Sequence, residues 1–130
     1  MLAGCGTTGL GRGATAGSTT QPGGQLSSTV ISSMGGGLVS GPIGSALSSS
    51  ERRSGLEAEY RALEYTASGQ PVTWKGSQAN RYGEVVAAQP YRVGSQDCRQ
   101  YTHTVYAGGA GVSARGTACR NPDGSWTPLT

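Results

Sequence analysis

Phenylalanine is absent from this 130-residue chain, histidine occurs once, and charged residues make up only 13%. The lone His103 excludes a multi-histidine metal site, so zinc could draw only on mixed ligands. With 35% apolar residues, 6% aromatic and 23 glycines, a core running the full length of the chain is excluded as well. Net charge is only +3, from nine arginines and one lysine that stand singly apart from Arg52 and Arg53. No basic run alternates with aromatic residues, which argues against a nucleic-acid groove.

What apolar character exists is unevenly placed. Both tryptophans and all tyrosines lie from Tyr60 onward. Between Cys5 and Gln25 the only large aliphatic residue is Leu10, among Gly, Ser, Thr and Ala. Such a stretch cannot bury enough surface to offset the entropy of ordering it, so residues 1–25 read as a flexible tether. Within it, Gly11, Gly13 and Ala16 imitate a dinucleotide fingerprint, but no strand precedes them and no helix follows.

At the head of that tether, Leu2, Ala3, Gly4 and Cys5 have the form of a bacterial lipobox: an aliphatic residue, two small ones and the cysteine. Small side chains let a signal peptidase approach the backbone, and the sulfur takes a diacylglycerol. Each buried methylene adds about 0.8 kcal/mol, and stable anchoring needs more than one chain, which palmitate-type acyl groups on Cys5 would supply. A secretory signal also needs a charged region and an apolar region of about 7–15 residues. Only four residues precede Cys5. The reading therefore expects either a precursor that starts upstream or a soluble protein with a chance match, and favours the first.

Residues 26–47 carry no charge, and small residues recur there every fourth position: Ser33, Gly37, Gly41 and Ser45, with Gly36, Ser40, Gly44 and Ser48 one place along. On a helix this spacing makes a glycine zipper, a face on which another backbone can approach closely. Residues 26–50 are thus expected to embed in a membrane or self-associate, although Pro42 would kink a helix and serine and glycine dilute the apolar side chains.

The folded domain is expected over residues 51–130 as an α+β unit. Ser48 and Glu51 form a capping box, as do Ser54 and Glu57. Leu56, Tyr60, Leu63 and Ala67 follow at helical spacing until Gly69 and Pro71 end the run. The amphipathic helix needs a partner surface, which a small antiparallel sheet supplies. Strands are expected at 71–74, 82–89, 98–107 and 110–119, with a turn at 121–124 and a closing segment at 125–129.

The third and fourth strands define a hairpin. If Gly108 and Gly109 make a two-residue turn, Ala107 stands opposite Ala110, and counting outward brings Cys98 opposite Cys119. Alternate pairs in such a ladder lack hydrogen bonds and bring Cα atoms to about 4.5 Å, which a disulfide accepts. Cys98 and Cys119 fall on that parity, so a cross-strand disulfide and an oxidising compartment are expected. Cys5 is then the odd cysteine, left for lipidation.

The segments "ALE", "SGQPVTW", "CRQY" and "RGTACRNPDGSW" together resemble the rickettsial 17 kDa surface antigen family of outer-membrane lipoproteins. The resemblance implies a lipobox, a glycine zipper, a helix and a small sheet domain in an envelope lipoprotein with no established catalytic activity. This sequence shows one zipper segment where the family usually has a pair.

No residue set points to catalysis, a cofactor or a metal. Cys98 and His103 are five residues apart on one strand and project to opposite faces, which rules out a thiol dyad. His103 reads as a surface or edge residue. Its strand face, shared with Arg99, Tyr101 and Val105, is expected to be half-buried against the Leu56/Tyr60 helix. Glu57, Glu59 and Glu64 are assigned with Arg61 to a charged helix face, Asp97 to water, and Trp74 and Trp126 to the core.

The functional expectation is an outer-membrane lipoprotein or surface antigen with a structural or interaction role, anchored through Cys5, with Gly36, Gly37, Gly41 and Gly44 in the zipper. Its expected partners are membrane lipid and further copies of itself, with no nucleic acid. The alternative is a soluble periplasmic module that binds or inhibits through contact with a glycan, peptidoglycan or a protein.

Overall fold

The computed structural model describes residues 28–129. Cys5 and the tether at 1–25 lie outside the described residues. A short helix α1 (Ser28–Ser32) and two 3-10 turns (Leu38–Ser40 and Pro42–Gly44) precede the main helix α2 (Ser49–Tyr65). Six strands follow: β1 (Pro71–Lys75), β2 (Arg81–Ala87), β3 (Tyr91–Val93), β4 (Gln96–Ala107), β5 (Val112–Arg120) and β6 (Trp126–Leu129). The fold is α+β, one main helix on one antiparallel sheet.

Helix α2 starts where its capping box places it. Ser48 Oγ accepts from the Glu51 N–H at 3.2 Å, and Glu51 Oε1 accepts from the Ser48 N–H at 3.0 Å, so two of the end's unpaired donors are satisfied. At the other end Thr66 is extended and Gly69 takes φ 82°, turning the chain into β1.

The sheet order is β1-β2-β4-β5-β6, with every neighbouring pair antiparallel. β4 is the axis: β2 pairs with its residues 101–107, and β3, which the sequence did not announce, pairs with 96–98 on the same side. Along β4, Arg99, Tyr101, His103 and Val105 face the helix, each 5% exposed or less. The face expected to be half-buried is therefore closed, and His103, expected at the surface or an edge, is 0% exposed.

The hairpin register holds from Cys98 opposite Cys119 to Val105 opposite Val112. Its tip differs. Rather than a two-residue turn at Gly108 and Gly109, pairing stops at Val105 and Val112, and residues 108–111 form an exposed loop tied down by Gly108 N–H donating to Asn80 O at 3.0 Å. Cys98 and Cys119 form a disulfide with their Cα atoms 4.0 Å apart. The turn at 121–124 closes with Gly124 N–H on Asn121 O at 2.9 Å.

Residues 28–47 do not continue as one helix. Gly35, Gly36 and Gly37 all have positive φ (59°, 90° and 65°), a left-handed run that ends α1. Pro42 then opens the second 3-10 turn. The turns fold back so that Ile31, Met34, Val39, Ile43 and Leu47 are buried in one cluster with Leu63, Trp74, Val85, Tyr101, Val105 and Trp126. The stretch expected to stand apart thus supplies part of the core beneath the sheet. The zipper glycines serve that packing: Gly44 is buried, and a Cβ on Gly37 would collide with the Glu59 carboxylate.

Candidate functional site

Three charged side chains lie buried where helix, sheet and glycine-rich turns meet. The first, Glu59, projects from α2 toward β4. The Trp74 indole N–H can only donate, and it reaches His103 Nε2 at 2.8 Å. The imidazole proton therefore sits on Nδ1, which donates to Glu59 Oε2 at 2.7 Å. Glu59 also accepts from Leu38 N–H at 2.9 Å and Val39 N–H at 3.2 Å. One carboxylate thus ties the first 3-10 turn, α2, β4 and, through His103, β1. Both Glu59 and His103 have 0% side-chain exposure.

Two glycines make this approach fit. Gly83 faces Trp74 across the β1–β2 ladder, and a Cβ there would stand 2.5 Å from the indole nitrogen. On α2, a Cβ on Gly55 would meet Val39 at 3.0 Å and His103 at 3.1 Å.

The second buried charge is Glu51, 3% exposed. Arg81 clasps it with Nε at 2.8 Å and Nη2 at 2.7 Å, and the Ser77 N–H adds a bond at 3.0 Å. Arg81 Nη2 also donates to Ala46 O at 2.6 Å. The Arg81 hydrogen bonds, helped by the Ser48 and Ser77 N–H groups, hold the Glu51 carboxyl well below the usual carboxylate range. A carboxylate shifted down contributes stability that is complete above its unfolded pKa and disappears as pH falls toward its folded one. We therefore expect urea midpoints to fall as the protein is titrated below about pH 4.3. Glu51→Gln should flatten that slope, and an unchanged slope would remove Glu51 from the explanation.

Arg99 is the third. Its Nη1 donates to the carbonyls of Ala62, Leu63 and Thr66 at 3.1, 2.7 and 2.9 Å, and its Nε to Ala88 O at 2.8 Å. It caps the negative end of α2 from the sheet. No carboxylate among the described residues pairs with it, and burial pushes its pKa down. Near the same helix end, Arg120 holds Glu64 through two bonds at 2.8 and 3.0 Å, and Trp126 Nε1 donates to Glu64 at 2.8 Å.

The sequence-predicted residues sort accordingly. Glu57 pairs with Arg53 and Arg61 on the outer helix face, and Asp97 lies 3.6 Å from Arg92 toward solvent, as expected. Trp74 and Trp126 are core residues at 6% and 2% exposure. Glu59 and Glu64 depart from the charged-face reading: one is sealed inside and the other bridges helix to sheet. Glu59 sits between Leu56 and Leu63 on the same helical stripe, a signal that could have revealed its inward direction. Glu51 and Arg81 carried no comparable mark, whereas alternation along the strand had already put Arg99 on the helix-facing side.

Chemically this is a bracing network. His103 and Glu59 are closed to any substrate in this conformation, both β-sheet cysteines are consumed in the disulfide, and His103 and Cys98 face opposite ways. Among the described residues no cluster of three or more His, Cys, Asp or Glu could hold a metal ion.

The family model for the 17 kDa outer membrane surface antigen matches residues 61–127, just over half of the chain. The chain belongs to that family. The 17 kDa surface antigen of Rickettsia bellii is 40% identical over 85 residues, covering 65% of this chain and 54% of that protein. Those of Rickettsia conorii and Rickettsia felis are each 43% identical over 77 residues, covering 58% of this chain and 48% of theirs. The matched part therefore spans about half the length of these relatives. No solved structure matches. The surface-antigen segment begins in the last turn of α2 and ends in β6, so it contains Arg99, His103, the disulfide and Trp126, while Glu51, Glu59 and the buried turns precede it.

Proposed function

We propose that this protein is an outer-membrane lipoprotein of a bacterial envelope, anchored through lipidated Cys5, whose folded part has a structural or interaction role. The observation that carries the reading is the surface-antigen match over 61–127, within which the Cys98–Cys119 disulfide fits an oxidising compartment. The lipobox at Leu2, Ala3, Gly4 and Cys5 adds support.

The anchor is assigned to Cys5 alone. Embedding Gly36, Gly37, Gly41 and Gly44 in a bilayer would require Met34, Val39 and Ile43 to leave the core they share with the sheet. Among the described residues no helix is long and apolar enough to cross a membrane. That packing also favours a second reading, a periplasmic module without lipid that contacts a glycan, peptidoglycan or a protein.

Intact-mass analysis of protein from its native envelope, together with detergent partitioning, separates the two. The expected result is acyl mass on Cys5 and recovery in the detergent phase. Unmodified Cys5 with recovery in the aqueous phase would replace the first reading by the second.

A further inference from the structure

β5 is paired with β4 from Val112 to Cys119, but β6 covers only its residues 117–120. Among the described residues nothing pairs with the β6 side of residues 112–116. The short 4.0 Å separation of the Cys98 and Cys119 Cα atoms marks a pair without mutual hydrogen bonds. The odd-numbered residues of β5 therefore turn their N–H and C=O groups away from β4. Thr117 and Cys119 direct theirs at β6, while those of Ser113 and Arg115 remain open.

The opposite edge of the sheet is guarded. β1 begins with Pro71 and ends with Lys75, both of which discourage strand addition. The open stretch of β5 has neither residue type, and its Val112 is 52% exposed. Two cavities flank it. One of about 430 Å³ is lined by Pro42, Ile43, Ala46, Val105 and Val112. The other, about 460 Å³, is lined by Met34, Leu38, Tyr101, Gly116 and Pro128. Tyr101 contributes to this wall and has a buried hydroxyl without a hydrogen-bond partner. Arg115, on the outer face at the rim of the second cavity, makes no ion pair among the described residues.

We propose that residues 112–116 of β5 receive an extended segment of a partner protein, added antiparallel in line with β6, with apolar side chains at alternate inward positions and an acidic one facing Arg115. The open backbone groups supply the ladder, the cavities take alternate side chains, and the free guanidinium selects charge. A second copy of this chain is the poorer occupant. Antiparallel self-pairing about Ala114 would set the two Arg115 side chains diagonally across the ladder, where like charges repel. The proposal deepens the interaction role above and does not depend on the lipid: its failure would leave acylation of Cys5 untouched.

The probe is a fluorescein-labelled peptide, Thr-Val-Glu-Val-Thr-Val, titrated against the full 130-residue chain by anisotropy, with amide exchange as a second readout. Saturable binding that slows exchange at Ser113 and Arg115 is expected. Ser113→Pro, which removes an edge donor, should weaken binding at least about tenfold. Arg115→Glu keeps the backbone, and should weaken this peptide while restoring binding of the version with lysine in place of glutamate. Circular dichroism checks that both variants fold. No saturable binding at about 1 mM peptide, or binding indifferent to both substitutions, overturns the proposal. Concentration-dependent dimerisation that Ser113→Pro abolishes would give the edge to a second copy and also overturn it.

Discussion

Glu59→Ala is expected to destabilise the fold by about 3 kcal/mol, the cost of leaving several enclosed donors without an acceptor. The Leu38 and Val39 N–H groups and His103 Nδ1–H all converge on this one carboxylate. The cavity left by a missing side chain adds to the loss. For a folded unit of about 100 residues such a change lowers Tm by about 15 °C. Glu59→Gln should fall between the two, since its amide oxygen can accept while its NH2 group faces other donors. Thermal and urea unfolding followed by circular dichroism measure both. A shift under about 1 kcal/mol for the alanine variant would mean that the turns and the helix do not need this brace.

Removing the disulfide is expected to cost a similar amount. Cys98 and Cys119 are separated by 21 positions, and closing a loop of that size in the unfolded chain is worth about 3 kcal/mol in the chain-entropy model. The double variant Cys98→Ala/Cys119→Ala is the cleaner test, because a single replacement leaves a buried thiol. Its urea midpoint should match that of the parent under reductant and lie well below that of the oxidised parent. Equal midpoints for oxidised and reduced protein would show that the cross-link adds no stability. The bond also sits beside Arg99, whose guanidinium is fixed to the end of α2, so its loss should reach the helix docking as well.

Much of the sheet and helix was legible because local signals and tertiary demands agreed. Ser48 and Glu51 announced the helix start, and two glycines between strands of compatible pattern placed Cys98 opposite Cys119. The register survived an error in the turn because the tip opens evenly: residues 106 and 107 on one strand and 110 and 111 on the other leave the ladder together. What was not legible came from side chains whose partners are distant in sequence. His103 and Glu59 are 44 positions apart and Glu51 and Arg81 are 30 apart, so neither pair leaves a local pattern. The glycine-rich stretch misled for a different reason. Spacing of small residues at every fourth position describes a helical groove only if the backbone stays helical, and three successive left-handed glycines end the helix first. Its aliphatic side chains were too sparse to suggest a core, yet Ile31, Met34, Val39, Ile43 and Leu47 are enough to close one under a small sheet.

The exposed loop at 108–111 lies at one end of the long hairpin and the sulfur bridge at the other. A protease that cuts between Gly108 and Gly111 would therefore release nothing: the two pieces stay tethered, migrate as one band on a non-reducing gel, and part only when thiol is added.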